Sequence, residues 1–182
     1  MNRVIATIGL ACAGAAAGWF ALSASGQGVE LPQAEIVTLC EANEAGDRIV
    51  FSGRVLDMDG LPLAKAAVVA YGTDAQGHYA PPETGSRNPR LRGVAITDDQ
   101  GRYAFETVYP GGYPGREDPS HVHLTVTAPM HGVKYVTFWF EGDPRLTPAK
   151  RRAIDRETVI VELGRLPDGR QAFTHDIRLR GS

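Results

Sequence analysis

RIVFSGRVLDMDGLPLAKAAVVAY, residues 48–71, decides the fold. Two short apolar, β-branched runs flank the turn-forming DMDG at 57–60. Branched side chains fit a pleated, half-buried strand, and Asp and Gly supply the dihedrals of a tight turn. The segment therefore reads as a strand, a turn and a returning strand. The same grammar repeats along the chain. GVAIT (93–97) and RYAFETV (102–108) flank DDQG and read as a hairpin. HVHLTVTA (121–128) and KYVTFWF (134–140) follow, and TVIVEL (158–163) and AFTHDIRL (172–179) end the chain around a PDG turn. With 21 glycines and 12 prolines to supply turns, the expectation is an all-β domain, a β-sandwich of about eight strands. One short helix is expected where Thr147 can cap and Pro148 can open the first turn of AKRRAIDRE. Its Lys150, Arg151 and Arg152 read as a solvated face.

Working outward, residues 1–25 read as a leader. Arg3 precedes an apolar run from Val4 to Leu22, and the small residues SAS follow. The run is long enough to cross a bilayer, so an uncleaved anchor is the alternative, although its Ala and Gly content favours cleavage. An extracytoplasmic location is expected, with membrane contact only through residues 4–22 if the leader stays. Cys12 falls inside the leader, so Cys40 is left without an internal disulfide partner. Residues 26–46 read as an irregular arm and 47–182 as the single domain. The net charge is −2 with acids and bases interspersed, and no aromatic–basic motif occurs, which excludes a nucleic-acid footprint.

Two long loops stand out, 72–92 and 109–119. Loops of this length in a compact domain are usually functional or disordered. Next to the second lies DPSHVHLTV, 118–126. On a strand His121 and His123 share one face, while Val122, Leu124 and Val126 share the other, which is expected to be buried. By itself the pair reads either as two solvated imidazoles or as two metal ligands. Glu117 or Asp118 could add a carboxylate and complete a ferrous two-His set. The loops offer another completion. Tyr79 and Tyr113 each sit beside glycine, and either alone reads as a surface residue. Together with the two histidines they would form an N2O2 set whose hard phenolate oxygens suit ferric iron.

The segments GRVLDMDGLPLAKAAVVAYGTDAQGHY, LRGVAITDDQGRYAFETVYPGGYP, PSHVHLTV, FWFEGDP and DIRLRG occur in that order over residues 52–181. Their combination resembles the intradiol ring-cleavage dioxygenases, protocatechuate 3,4-dioxygenase β subunits in particular. That resemblance implies a ferric iron held by Tyr79, Tyr113, His121 and His123, with Tyr113 and His123 axial. It implies a small aromatic diol and O2 as substrates, and ring opening between the two hydroxylated carbons to a cis,cis-muconate. Tyr113 would be displaced by the diol and accept one of its protons. A homo-oligomer is the one macromolecular partner left open, and no nucleic acid is expected. Three positions depart from the family pattern. Asp118 stands where an arginine is usual, Gly115 replaces an aromatic, and Thr137 aligns with a glutamine. Arg116 is the candidate to supply the missing cation in catalysis, with Arg90 and Arg92 as further candidates.

The first half of the chain also resembles transthyretin-like and carboxypeptidase-regulatory modules, which are not catalytic. An iron-binding relative without turnover is a third reading. Tyr79, Tyr113 and the histidine pair discriminate, because a bracing module has no use for them. His78 would replace Tyr79 if the register moved by one, whereas His131 and His175 read as surface or structural residues. Trp139 and Phe140 read as core or interface.

Overall fold

A computed structural model describes residues 28–30 and 33–181. The leader-like segment lies outside the described residues. The strands are β1 (Ile36–Thr38), β2 (Arg48–Leu56), β3 (Ala67–Gly72), β4 (Leu91–Ile96), β5 (Arg102–Val108), β6 (His121–Thr127) and β7 (Lys134–Phe140). They continue with β8 (Thr158–Val161), β9 (Gly164–Arg165), β10 (Gln171–Thr174) and β11 (Ile177–Arg178). One helix, α1 (Pro148–Arg152), joins β7 to β8. The domain is all-β, as expected, and forms two packed sheets. One runs β1-β5-β2-β10-β9, with β11 also on β2, and the other runs β4-β3-β6-β7-β8.

The core lies between them. Phe51 stacks on Phe105 at 5.3 Å and on Phe173 at 5.5 Å, and the Phe138 ring meets Phe173 edge-on at 5.0 Å. Val122, Leu124 and Val126 join this core, so the inner face of β6 is the one that the alternation predicted. A strand with one buried face must send its other residues outward, and that rule sets His121 and His123 on the outer face of the second sheet.

Four differences from the sequence reading have physical causes. First, β2 and β3 do not pair; they belong to different sheets. The same holds for β4 and β5, so DMDG and DDQG sit in arches that carry the chain across the core. Asx turns at Asp57 and Asp98 close both segments, and such turns form equally well in an arch and in a hairpin. Thr97 locks the two arches together, donating to the Leu63 carbonyl at 2.6 Å and accepting from Ala66 N–H at 2.8 Å. Second, the arm is not wholly irregular, because β1 pairs in parallel with β5. Third, AFTHDIRL splits into β10 and β11, which follow one another in parallel along β2. Fourth, α1 ends at Arg152, earlier than its sequence pattern suggests. Its cap is as read, with Thr147 Oγ1 accepting from Lys150 N–H.

Candidate metal centre

The two long loops meet above the start of β6. Asp74, just after β3, organises the first of them. Its Oδ1 accepts the N–H groups of Gln76 at 3.0 Å and His78 at 2.8 Å, and its carbonyl accepts Gly77 N–H at 3.0 Å. That carbonyl also accepts Gly111 N–H from the second loop at 2.8 Å, and Thr73 Oγ1 donates to the Gly111 carbonyl at 2.7 Å. The loops are thus stitched backbone to backbone. Asp143 of the FEGDP segment fixes the neighbouring strand end. Its carboxylate, 9% exposed, accepts Ser120 N–H at 3.0 Å and Arg145 N–H at 2.7 Å.

On this frame Tyr79, Tyr113, His121 and His123 converge. Ring centroids are 5.5 Å apart for Tyr79 and Tyr113, 4.9 Å for Tyr113 and His121, and 4.6 Å for the two histidines. A fifth ring closes the circuit: Tyr71 stacks on His123 at 4.9 Å and lies 6.1 Å from Tyr79.

The polar contacts assign the protons. His121 Nδ1 is 2.6 Å from the Pro119 carbonyl, which can only accept, so Nδ1 carries the hydrogen. Nε2 is then an acceptor, and Tyr113 donates to it at 3.0 Å. Tyr113 having spent its hydrogen, Tyr79 donates to the Tyr113 oxygen. The chain Tyr79–Tyr113–His121–Pro119 is therefore one directed relay. His123 Nδ1 lies 3.2 Å from Thr137 Oγ1.

Burial sets the charge states. It pushes both phenols above the ordinary phenol value, with the hydrogen bond to Tyr113 adding to the effect at Tyr79. Burial also lowers both imidazoles, His123 to about 4. Without a metal all four groups are neutral at pH 7. The histidines already have their ligand form, while the tyrosines need a strong local cation to become phenolates.

One consequence is measurable on the metal-free protein. Below the ordinary imidazole value of 6.5 the unfolded chain takes up a proton at His123 that the folded chain refuses until about 4. Stability should fall as the pH drops through that interval, by up to about 3 kcal/mol from this group. Urea unfolding at pH 7, 5.5 and 4 reads this directly, and a midpoint that does not move would refute the assigned burial of His123.

Other candidates fall elsewhere. The Asp118 carboxylate is held by Arg116 Nε at 2.7 Å, and Glu117 is exposed. Among the described residues no third His, Cys, Asp or Glu joins the histidine pair, so the two-His-one-carboxylate alternative is set aside. The Arg116 guanidinium lies 5.5 Å from the Tyr113 ring centre. Arg90 is committed to Glu44, at 2.6 Å, and to Asp74, at 3.5 Å. Arg92 is exposed on β4, with Tyr71 between it and His123 in the cross-strand register. His78 faces Asp74 at 3.9 Å, away from the phenols. His131 sits in the β6–β7 turn, at the opposite end of β6, and half-buried His175 lies edge-on to Phe138. Cys40 is half-buried and accepts from Arg48. Phe140 is core, but Trp139 pairs with His121 on the outer face and so borders the centre. The sequence reading gave no role to Tyr71, Asp74 or Asp143, and named Thr137 only as a departure from the family pattern. The available signals were the FEGDP run for Asp143 and the outward alternation of KYVTFWF for Thr137.

Comparison with known proteins finds dioxygenases. A family model described as dioxygenase matches residues 26–181. The protocatechuate 3,4-dioxygenase β chain of Burkholderia cepacia is 33% identical over 156 residues, 75% of this chain and 66% of that one. The hydroxyquinol 1,2-dioxygenase of Rhizobium sp. (strain MTP-10005) is 27% identical over 70% of this chain and 48% of its own length. This chain thus spans about half to two thirds of those relatives. Among solved structures, 3-chlorocatechol 1,2-dioxygenase of Rhodococcus opacus 1CP superposes with a TM-score of 0.69 at 21% identity, over 80% of this chain and 65% of that one. The dioxygenase domain of a carbohydrate-binding fusion protein from Streptomyces sp. SirexAA-E gives 0.65 at 23% identity, over 86% of this chain and 96% of that one. At these identities the structures support the fold.

Proposed function

Because this chain belongs to the intradiol ring-cleavage dioxygenase family, we propose that it binds ferric iron through Tyr79, Tyr113, His121 and His123 and opens catechol-type rings between their hydroxylated carbons. The observation that carries this reading is the convergence of two phenols and two imidazoles, with a hydrogen-bond partner at Nδ1 of each histidine. That set fits a hard trivalent cation. With both phenols deprotonated the set would offer two anionic oxygens and two neutral nitrogens, and no carboxylate among the described residues joins it.

When bound, the iron supplies the Lewis-acidic and redox-active centre for reaction of the diol with dioxygen. The chain's own residues do the rest. Tyr79 Oη and the two histidines position the metal. Tyr113, on the second loop, has the Arg116 guanidinium 5.5 Å from its ring centre. As a phenolate, Tyr113 Oη can take a proton from the incoming diol, which is a general-base role. Trp139, beside His121, offers an aromatic wall.

The same charges bear on the substrate. Arg116 is neutralised by Asp118, and Arg90 by Glu44 and Asp74. Both candidate cations are partly satisfied by carboxylates, which favours an uncharged catechol over a ring that carries a carboxylate. Catechol should surpass protocatechuate in kcat/KM by roughly tenfold or more, the equivalent of about 1.4 kcal/mol. The leader-like residues 1–25 support an extracytoplasmic location within the same proposal.

The test is a visible spectrum of the iron-loaded protein before and after catechol under air. A tyrosinate-to-iron band that shifts with catechol and decays as a muconate forms supports the enzyme. A band that shifts without decay replaces it with the iron-binding relative. A colourless protein without stoichiometric iron leaves the non-catalytic module.

A further inference from the structure

The two histidines are held in different ways, and the difference assigns a role to two residues outside the ligand set. His121 is oriented by main chain, through the Pro119 carbonyl two residues before it. Among the described residues, His123 has no main-chain holder for its ring. It sits instead in a row across three strands. Tyr71 of β3 is its register partner on one side and Thr137 of β7 on the other. Residues paired in register project to the same face, so both side chains flank the imidazole. Tyr71 stacks on it, centroids 4.9 Å apart and planes 30° apart, and Thr137 Oγ1 lies 3.2 Å from Nδ1.

We propose that Thr137 and Tyr71 form a side-chain clamp that selects the tautomer and ring angle of His123, and that they are positioning residues for the metal. Thr137 accepts the Nδ1 hydrogen, which leaves the Nε2 lone pair facing the centre; the Tyr71 ring blocks rotation about the Cβ–Cγ bond. This inference rests on the iron reading for its purpose, but the tautomer itself exists without iron. Removing an outer hydrogen-bond partner of a ligating histidine typically changes metal affinity by roughly 10- to 100-fold.

The experiment is therefore made first on metal-free protein. Histidine 15N-labelled wild type is compared with Thr137→Val, which is isosteric and lacks the acceptor, and with Thr137→Ser, which restores it. In wild type, long-range 1H–15N correlations should show His123 protonated at Nδ1. Thr137→Val should shift His123 toward the Nε2–H form or a mixture, and Thr137→Ser should return it. His121 should keep its Nδ1–H signal in all three, which shows that the fold and the neighbouring ligand survive. Iron titration should then show Thr137→Val binding about 10-fold or more weakly, with a displaced charge-transfer band, and Tyr71→Ala but not Tyr71→Phe should displace the band as well. An Nε2–H His123 in wild type, or an unchanged His123 signal in Thr137→Val, overturns the clamp. A tautomer switch in a protein that takes up no iron retains the clamp and overturns the metal reading, so the two failures are distinguishable.

Discussion

Replacing His121 with alanine is expected to abolish stoichiometric iron uptake and to lower turnover of catechol by on the order of a thousandfold or more. The size of the effect follows from where His121 stands. It is 7% exposed, and its Nε2 is the end of the relay from Tyr79 through Tyr113. Removing the imidazole deletes one of the two proposed nitrogen donors and orphans the Tyr113 hydroxyl. It also opens a buried gap between the tyrosine loop and β6. The fold should survive, because His121 points away from the core that Val122 and Leu124 build. Iron content, the visible band and far-ultraviolet circular dichroism measured on one preparation separate these effects. His78→Ala is the control, since His78 faces Asp74 and not the phenols. Retention of the band and of full iron in His121→Ala would falsify the assignment of the centre.

The second large effect is expected from a residue that touches no ligand. Gly77 has φ +90°, and a Cβ there would lie 2.2 Å from the Gly112 carbonyl. A Cβ on Gly111 would lie 2.5 Å from both the Ala75 carbonyl and Gly77 N. The loops carrying Tyr79 and Tyr113 therefore meet through glycines, at a distance no side chain tolerates. Gly77→Ala adds a left-handed strain penalty to a backbone clash, and should cost about 2–4 kcal/mol of stability. Because the loops can relieve the clash only by separating, iron should bind at least roughly tenfold more weakly, as expected when ligands are displaced by an ångström or so. Gly85→Ala is the matched control: its φ is also positive, at +61°, but it has open space around its Cβ. Equal iron affinity in Gly77→Ala and wild type would mean that the loop contact does not position the tyrosines.

The contrast between these two sites shows what could be read from residues alone. The histidine pair was legible because strand alternation is local: Val122, Leu124 and Val126 could face only the core. The strands themselves were legible for the same reason, and β5 and β7 coincide with RYAFETV and KYVTFWF. What failed was whatever depends on partners distant in sequence. Nothing in DMDG or DDQG says that the strands on either side leave one sheet for the other. The Tyr71–His123–Thr137 row depends on the register of three strands, and the length of the β6–β7 turn sets half of it. Asp74 was hidden for another reason: its work is to satisfy backbone N–H groups in loops, and a buried carboxylate in that role looks like any turn aspartate. Asp118 shows the limit in the other direction. Its substitution for a cation was visible, but its neutralisation by Arg116 was not.

The sheet arrangement carries a consequence for how the molecule forms. Every strand bordering the centre, β3, β6 and β7, comes from a continuous stretch between Ala67 and Phe140, and all four candidate ligands fall inside it. The other sheet is completed from both chain ends. Its central strand β2 waits for β10, whose Phe173 pairs with Phe51, and for β11 beyond it. Parallel pairing over such a separation has a high loop-closure cost and is slow. During synthesis, the ligand-bearing sheet can collapse while β2 still presents an open edge and the Phe51 face lacks Phe173. Refolding from denaturant should then show a fast phase that forms the tyrosine–histidine cluster, followed by a slower one, limited by docking of the C-terminal strands, that buries the phenylalanine core.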